Sequence, residues 1–204
     1  MAPPPPSAKL KGISPDLKKI IDANMDEAPA RRRAREAFKG VQLSIDHCLF
    51  KIPAEGLKMD ERYEKNSRGL EIFSKTWLQE ASPPKAVICY CHGYGDTCSF
   101  FFEGIARKLA LAGYGVCAMD YPGFGLSDGL HGYIPSFDTL VDDVIEHYSK
   151  VKGMTATFQE MLVLLLPLLL CHLELVLDFP ISWDCLLVMC ASFDFEGEGC
   201  GMLN

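Results

Sequence analysis

The stretch from Ala86 to Lys150 constrains the fold more than any other part of the sequence. Ala86-Val87-Ile88-Cys89-Tyr90-Cys91 is a continuous apolar run of the kind found in strands buried on both faces. A loop, His92-Gly93-Tyr94-Gly95-Asp96, follows it. From Ser99 to Ala112 the period becomes helical: Phe101, Ile105 and Leu109 share one apolar face, and Glu103 and Arg107 pair four residues apart. Gly113 and Gly115 end that helix, and Val116-Cys117-Ala118-Met119 reads as a second buried strand. A loop rich in Gly and Pro, Asp120 to Pro135, leads into a helix from Ser136 to about Lys150. Asp138 falls in its first turn, and Phe137, Leu140, Val141, Val144 and Tyr148 turn inward. Strand, helix, strand, helix with buried strands is the pattern of a parallel sheet covered on both faces, so the fold class is α/β.

The segments before this core divide by composition. Residues 1–13 are Pro-rich and expected to be disordered. Residues 14–40 read as a helical extension. Ser14-Pro15-Asp16 has the chemistry of a helix start, and Pro29 opens a second helix through Phe38 that Gly40 should end. Arg31, Arg32, Arg33 and Arg35 are expected to form its solvated face, the alternative being attraction to an anionic membrane surface. From Glu61 the pattern is of strands. Arg62–Glu64 and Leu70–Leu78 flank the turn Asn66-Ser67-Arg68-Gly69, which predicts a hairpin.

A formal charge of -7 gives no reason to expect a nucleic-acid partner. Nine cysteines, without regular spacing or zinc-type pairs, read as reduced and mostly buried thiols in the cytosol. MAPPPPSAKLKG has no apolar core after a basic start and so is not a secretory signal.

In a sheet of this kind sites form at the carboxyl ends of the strands, which singles out the loops 92–98 and 120–135. Gly93 and Gly95 leave backbone N–H groups uncovered near the start of the next helix, an arrangement suited to a phosphate or a developing oxyanion. One reading is dinucleotide binding: Gly93-Tyr94-Gly95-Asp96-Thr97-Cys98 is G-x-G-x-x-C, and Asp120 stands about where a ribose-binding acid belongs. Against it, Cys98 replaces the third glycine and Asp96 brings a negative charge to the loop. The other reading is acyl transfer, in which His92-Gly93-Tyr94-Gly95 occupies the place of an oxyanion-hole motif and the Tyr94 amide is the donor.

The run CHGYGDTCSFFFEGIARKLALAGYGVCAMDYPGFGLSDGLHGYIPSFDTLVDDVIEHYSKVK resembles the plant monoacylglycerol lipase and caffeoylshikimate esterase family of α/β-hydrolases. ISPDLKKIIDANMDEAPARRRAREAF is similar to the N-terminal extension of its plant members, and the likeness spans residues 13 to about 152. The resemblance implies a Ser-His-Asp mechanism on an ester or monoacylglycerol-like small molecule, with no metal and no cofactor. It also assigns Asp120, Gly123, Gly125 and Ser127 to the loop after the fourth strand.

Ser127 lies in Gly125-Leu126-Ser127-Asp128-Gly129, which fits G-x-S-x-G. An elbow serine needs a strand running straight into it and a helix leaving at once, whereas Gly129, Gly132 and Pro135 follow Ser127. It is expected to fix a turn and not to attack an ester. The family's nucleophile lies on the strand after the helix that ends near Lys150. No such motif stands there: Ser182 and Ser192 lack flanking glycines, and His172 and Asp178 lie in a segment unlike the family. After Lys152 there is no Lys or Arg, while 13 Leu are present. Gly153-Met154 can be encoded GGT-ATG, a splice-donor-like sequence, so residues 153–204 are expected to be a non-family tail read from an unspliced transcript. Met161–Leu177 is apolar but broken by Pro167, His172 and Glu174, short of the ~20 residues that span a bilayer. It is expected to be an ill-packed or aggregation-prone segment, the alternative being a membrane anchor or peripheral membrane contact. The chain is thus expected to be a truncated and catalytically inactive relative of an ester hydrolase.

Overall fold

A computed structural model describes residues 12–154, 161–165 and 186–188. Two helices come first, α1 (Pro15–Ile21) and α2 (Ala28–Ser44). The Ser14 hydroxyl accepts the Leu17 N–H at 3.2 Å and caps α1 as its sequence predicts. Gly40 does not end α2, which continues to Ser44. A stop at glycine requires the left-handed cap conformation, and Gly40 does not adopt it.

After a 3-10 turn (Cys48–Lys51), β1 (Leu57–Lys65) and β2 (Glu71–Gln79) form the expected antiparallel hairpin, with β1 starting earlier than Glu61. Asn66 closes it, its Oδ1 accepting the Arg68 and Leu70 amides. Then come β3 (Val87–Cys91), α3 (Phe101–Leu111), β4 (Gly115–Met119), α4 (Phe137–Met154), β5 (Met161–Leu165) and β6 (Leu186–Val188). Among the described residues the sheet order is β1-β2-β4-β3-β5-β6. β2 runs antiparallel to β4, while β4, β3, β5 and β6 run parallel to one another. β1 is the edge strand and, apart from Leu57, is largely exposed and charged, which discourages further pairing.

β3 and β4 are buried throughout, and their alternation feeds two cores. Val87, Cys89, Cys91, Cys117 and Met119 face Leu140, Val141 and Tyr148 of α4. Ile88, Tyr90, Val116 and Ala118 face Phe102, Ala106 and Ala110 of α3, together with Phe73 and Trp77 of β2. The α4 face is the predicted one. On α3 the inner face is Phe102, Ala106 and Ala110, whereas Phe101 and Ile105 are exposed. The alanines let the helix sit close to the sheet, and Gly104 lies against the Leu49 backbone of the 3-10 turn. Phe101 leaves the sheet to stack on Phe50 of that turn, ring centroids 5.5 Å apart.

Candidate functional site

β3 and β4 end side by side, and the loops that follow them meet. His92, the first residue after β3, is fully buried and stacked on Tyr121. The Tyr121 amide donates to His92 Nε2 at 3.1 Å, so Nε2 is the acceptor and Nδ1 carries the proton that reaches the Gly93 carbonyl at 2.8 Å. Burial pushes the His92 pKa down, which keeps this neutral tautomer. The imidazole therefore ties the two loops together and has no free nitrogen for proton transfer.

Beyond it the loop opens. Gly95 takes a left-handed φ of 77° in a turn closed by the Asp96 amide on the Gly93 carbonyl. The Tyr94 side chain is 62% exposed, and its hydroxyl donates to the Gly132 carbonyl at 2.6 Å. Among the described residues no acceptor meets the backbone N–H of Tyr94 or of Gly95. The loop presents free donors at its tip and is held at its foot, where Thr97 and Cys98 bond to Asp120.

The loop after β4 is the reverse case. Asp120 is fully buried, with Oδ1 accepting the Cys98 amide and the Thr97 hydroxyl, each at 2.7 Å, and Oδ2 accepting the Leu126 amide at 2.8 Å. A carboxylate filled in this way does not face a ribose, so the dinucleotide reading loses its acid as well as its third glycine. Ser127 is also fully buried. Its hydroxyl donates to the Asp120 carbonyl at 2.6 Å and accepts the Phe73 amide at 2.8 Å, which ties the loop to β2. Both hydrogen-bonding capacities are spent on backbone groups, and no imidazole is among the partners. Gly123 and Gly125 both have positive φ. A Cβ on Gly125 would overlap the Asp120 carboxylate, and one on Gly123 would stand 2.6 Å from the Leu130 carbonyl.

Of the α2 arginines Arg33 is exposed as expected, but Arg31, Arg32 and Arg35 are not part of a solvated face. Arg31 is buried and donates to four carbonyls: Gly125 and Ser127 at 2.6 Å, Met25 and Asp26 at 3.0 Å. Arg32 reaches the Leu126 carbonyl at 2.9 Å, pairs with Glu71 and Asp128, and lies over the Tyr63 ring. Arg35 grips Glu61 with two bonds. The sequence reading missed these roles and that of Thr97; the one available signal was a helix placing three arginines on neighbouring positions.

The described cysteines supply no reactive thiolate in the core. Burial pushes Cys91 and Cys117 up to about 12 and raises Cys89 and Cys98 as well. Among the described residues no cluster of His, Cys, Asp and Glu could hold a metal ion. An apolar cleft of about 180 Å³ lies between the loop 122–135 and the start of α4, lined by Pro122, Leu130, Tyr133, Ile134 and Leu140. Its lining does not include residues 92–98. β5 pairs with β3 so that Leu165 stands opposite Cys91, bringing the end of β5 beside the start of the open loop. The sequence continues from Leu165 as Leu166-Pro167-Leu168-Leu169-Leu170. His172, Asp178, Ser182 and Ser192 lie outside the described residues, as does Leu166–Leu177 of the apolar segment. No helix among the described residues is long and apolar enough to cross a membrane.

A sheet entered by an antiparallel hairpin and continued in parallel in the order above, with site loops at the strand ends, defines an α/β-hydrolase fold. The family described as serine aminopeptidase, S33, matches residues 82–165, a span that runs past Gly153-Met154 to the end of β5. The chain is 25% identical over 131 residues to caffeoylshikimate esterase of Arabidopsis thaliana, covering 64% of this chain and 38% of that protein. It is 31% identical over 87 residues to monoglyceride lipase of Rattus norvegicus, covering 43% of this chain and 28% of that one. Among solved structures it is similar to brefeldin A esterase, a bacterial homologue of human hormone-sensitive lipase. That match has a TM-score of 0.47 and 15% identity, and covers 76% of this chain and 48% of the other. Over these spans the chain is similar to hydrolases of the esterase and lipase kind. It spans well under half the length of the curated relatives it matches.

Proposed function

We propose that the loop 92–98 is the oxyanion side of an ester-hydrolase site, with the Tyr94 amide as donor, and that this chain supplies no nucleophile to that site. Small-molecule esters are the substrate class, as the names of the esterase and lipase relatives suggest. Gly93 and Gly95 keep the approach to the Tyr94 N–H open, and His92 fixes the base of the loop. A backbone donor held in this way stabilises charge as a tetrahedral intermediate forms. Gly123, Gly125, Asp120 and Ser127 serve as scaffold behind it.

The observation that carries this reading is the register of β5 on β3. The strand that should lead into a nucleophile elbow ends beside the open loop, yet it is followed by Leu166-Pro167 where a serine flanked by glycines belongs. Without a nucleophile a site of this class retains only weak catalysis.

Treating the purified full chain with a fluorophosphonate probe, alongside monoacylglycerol and p-nitrophenyl ester assays, tests the proposal. The expected result is no covalent adduct and no turnover above a heat-denatured sample. A stoichiometric adduct mapped by mass spectrometry to any serine of the chain, Ser182 or Ser192 included, would overturn it.

A further inference from the structure

Two buried charges flank the loop after β4, and among the described residues neither touches a group of opposite charge. The Arg31 guanidinium bonds only to carbonyl oxygens, and the Asp120 carboxylate only to N–H and O–H donors. Between them stands a single peptide unit, the one joining Gly125 to Leu126. Its carbonyl accepts from Arg31 Nε at 2.6 Å, and its N–H donates to Asp120 Oδ2 at 2.8 Å. A trans peptide directs its C=O and N–H to opposite sides, so one plane lies polarised between a cation and an anion. In a site shielded from water each of these bonds strengthens the other. The other oxygen of Asp120 holds the Thr97 hydroxyl and the Cys98 amide, the foot of the loop that presents Tyr94.

We propose that Arg31 is a positioning residue for the loop 92–98, acting through the Gly125–Leu126 peptide and Asp120. In taking that loop as the oxyanion side the proposal rests on the function argued above. Helix α2 takes up three successive carbonyls of the loop after β4: Gly125 and Ser127 through Arg31, Leu126 through Arg32. The opposite side of this same loop is the face on which Asp120 sits. Displacing α2 therefore shifts the carboxylate that anchors Thr97 and Cys98. A lysine cannot replace the arginine fully, because a single ammonium does not match four carbonyls arranged around a planar fork. Arg35 provides a built-in control. It lies one turn further along α2 and carries the same charge, but its two bonds go to Glu61 of β1 and none goes to either loop.

Amide hydrogen exchange on the full chain, read by mass spectrometry, separates positioning from general support. Removing a buried charge-assisted bond should speed exchange about tenfold in Arg31→Ala at the bonded amides of the loop 93–98, those of Asp96, Thr97 and Cys98. Arg31→Lys should be intermediate and Arg35→Ala should match the wild type. β3 and α3 should keep their protection in all three. Faster exchange confined to residues 12–45, or an equal rise at 93–98 in Arg35→Ala, would overturn the proposal. Should Arg31→Ala fail to fold, Arg31→Lys against Arg35→Ala makes the same comparison. Exchange reads loop placement without turnover, so a serine labelled by the probe would remove the catalytic reading and leave this result standing.

Discussion

The two loops at the strand ends are built on opposite plans. After β4, Asp120, Tyr121, Phe124, Leu126 and Ser127 are all buried, and Asp120 and Ser127 spend every polar atom on backbone or on the neighbouring loop. After β3, the loop is anchored at His92 and again at Thr97 and Cys98, and between those points the Tyr94 and Gly95 amides are open. One loop is a scaffold and the other presents donors. A preorganised donor has to be rigid without being occupied, and this pair of loops divides those requirements between them.

The comparison breaks most completely at Gly125. Its φ of 48° lies in the left-handed region, and a Cβ there would meet the Asp120 carboxylate. Strain of about 1–3 kcal/mol for the backbone adds to a similar penalty for overpacking, so Gly125→Ala should lose about 3 kcal/mol or more. Urea unfolding of the variant checks this. A loss under about 1 kcal/mol would mean that Asp120 moves freely, and the scaffold would then be no more rigid than the loop it supports.

How much of this was legible in the sequence depended on how far apart the partners lie. The buried strands and α4 could be read because Val87–Cys91, Val116–Met119 and the Leu140–Tyr148 face each carry their pattern within a few residues. On α3 the pattern misled, since Phe101 and Ile105 outweigh Ala106 and Ala110 in any apolar periodicity, although the small residues are the ones that let the helix approach the sheet. Arg31 and Arg32 were read as solvated because their carbonyl partners lie 94 and 96 residues away and a carbonyl has no sequence signature. Asp120 was correctly placed at a strand end, but its bonds to Thr97, Cys98 and Leu126 depend on how two loops meet and could not be read from either alone.

Acid should open the seam between the loops. His92 accepts the Tyr121 amide only while neutral, and its folded pKa is pushed below the ordinary 6.5 by burial. As pH falls below 6.5 the unfolded chain takes up a proton that the folded chain refuses, so the unfolded state gains and stability declines. His147 on α4 behaves alike, brought down to about 4 by burial first and by Lys150 second. Burial alone would raise Glu61, but Arg35 and Lys75 hold it down to about 2, so its contribution is lost below its ordinary 4.5 and does not shape the higher window. The urea midpoint should therefore drop between about pH 6.5 and about pH 4. His147→Gln should remove part of that slope and leave the remainder to His92. A midpoint flat across the window in His147→Gln would show that His92 does not hold the seam.

The mildest cut falls at the tip. The Tyr94 hydroxyl donates to the Gly132 carbonyl at 2.6 Å, yet the side chain is largely exposed and its ring keeps an edge contact with Phe124 at 5.3 Å. Tyr94→Phe removes one hydrogen bond that water can replace, so it should lower stability by only about 0.5–1 kcal/mol. The foot of the loop, held by Asp120, should keep its protection from exchange, because none of the bonds at Thr97 and Cys98 involves the phenol. Thermal unfolding together with exchange at 93–98 measures both effects. A loss above about 2 kcal/mol, or faster exchange at the foot, would place Tyr94 with the scaffold, since a group whose removal loosens the whole loop is holding it in place and not merely being presented by it.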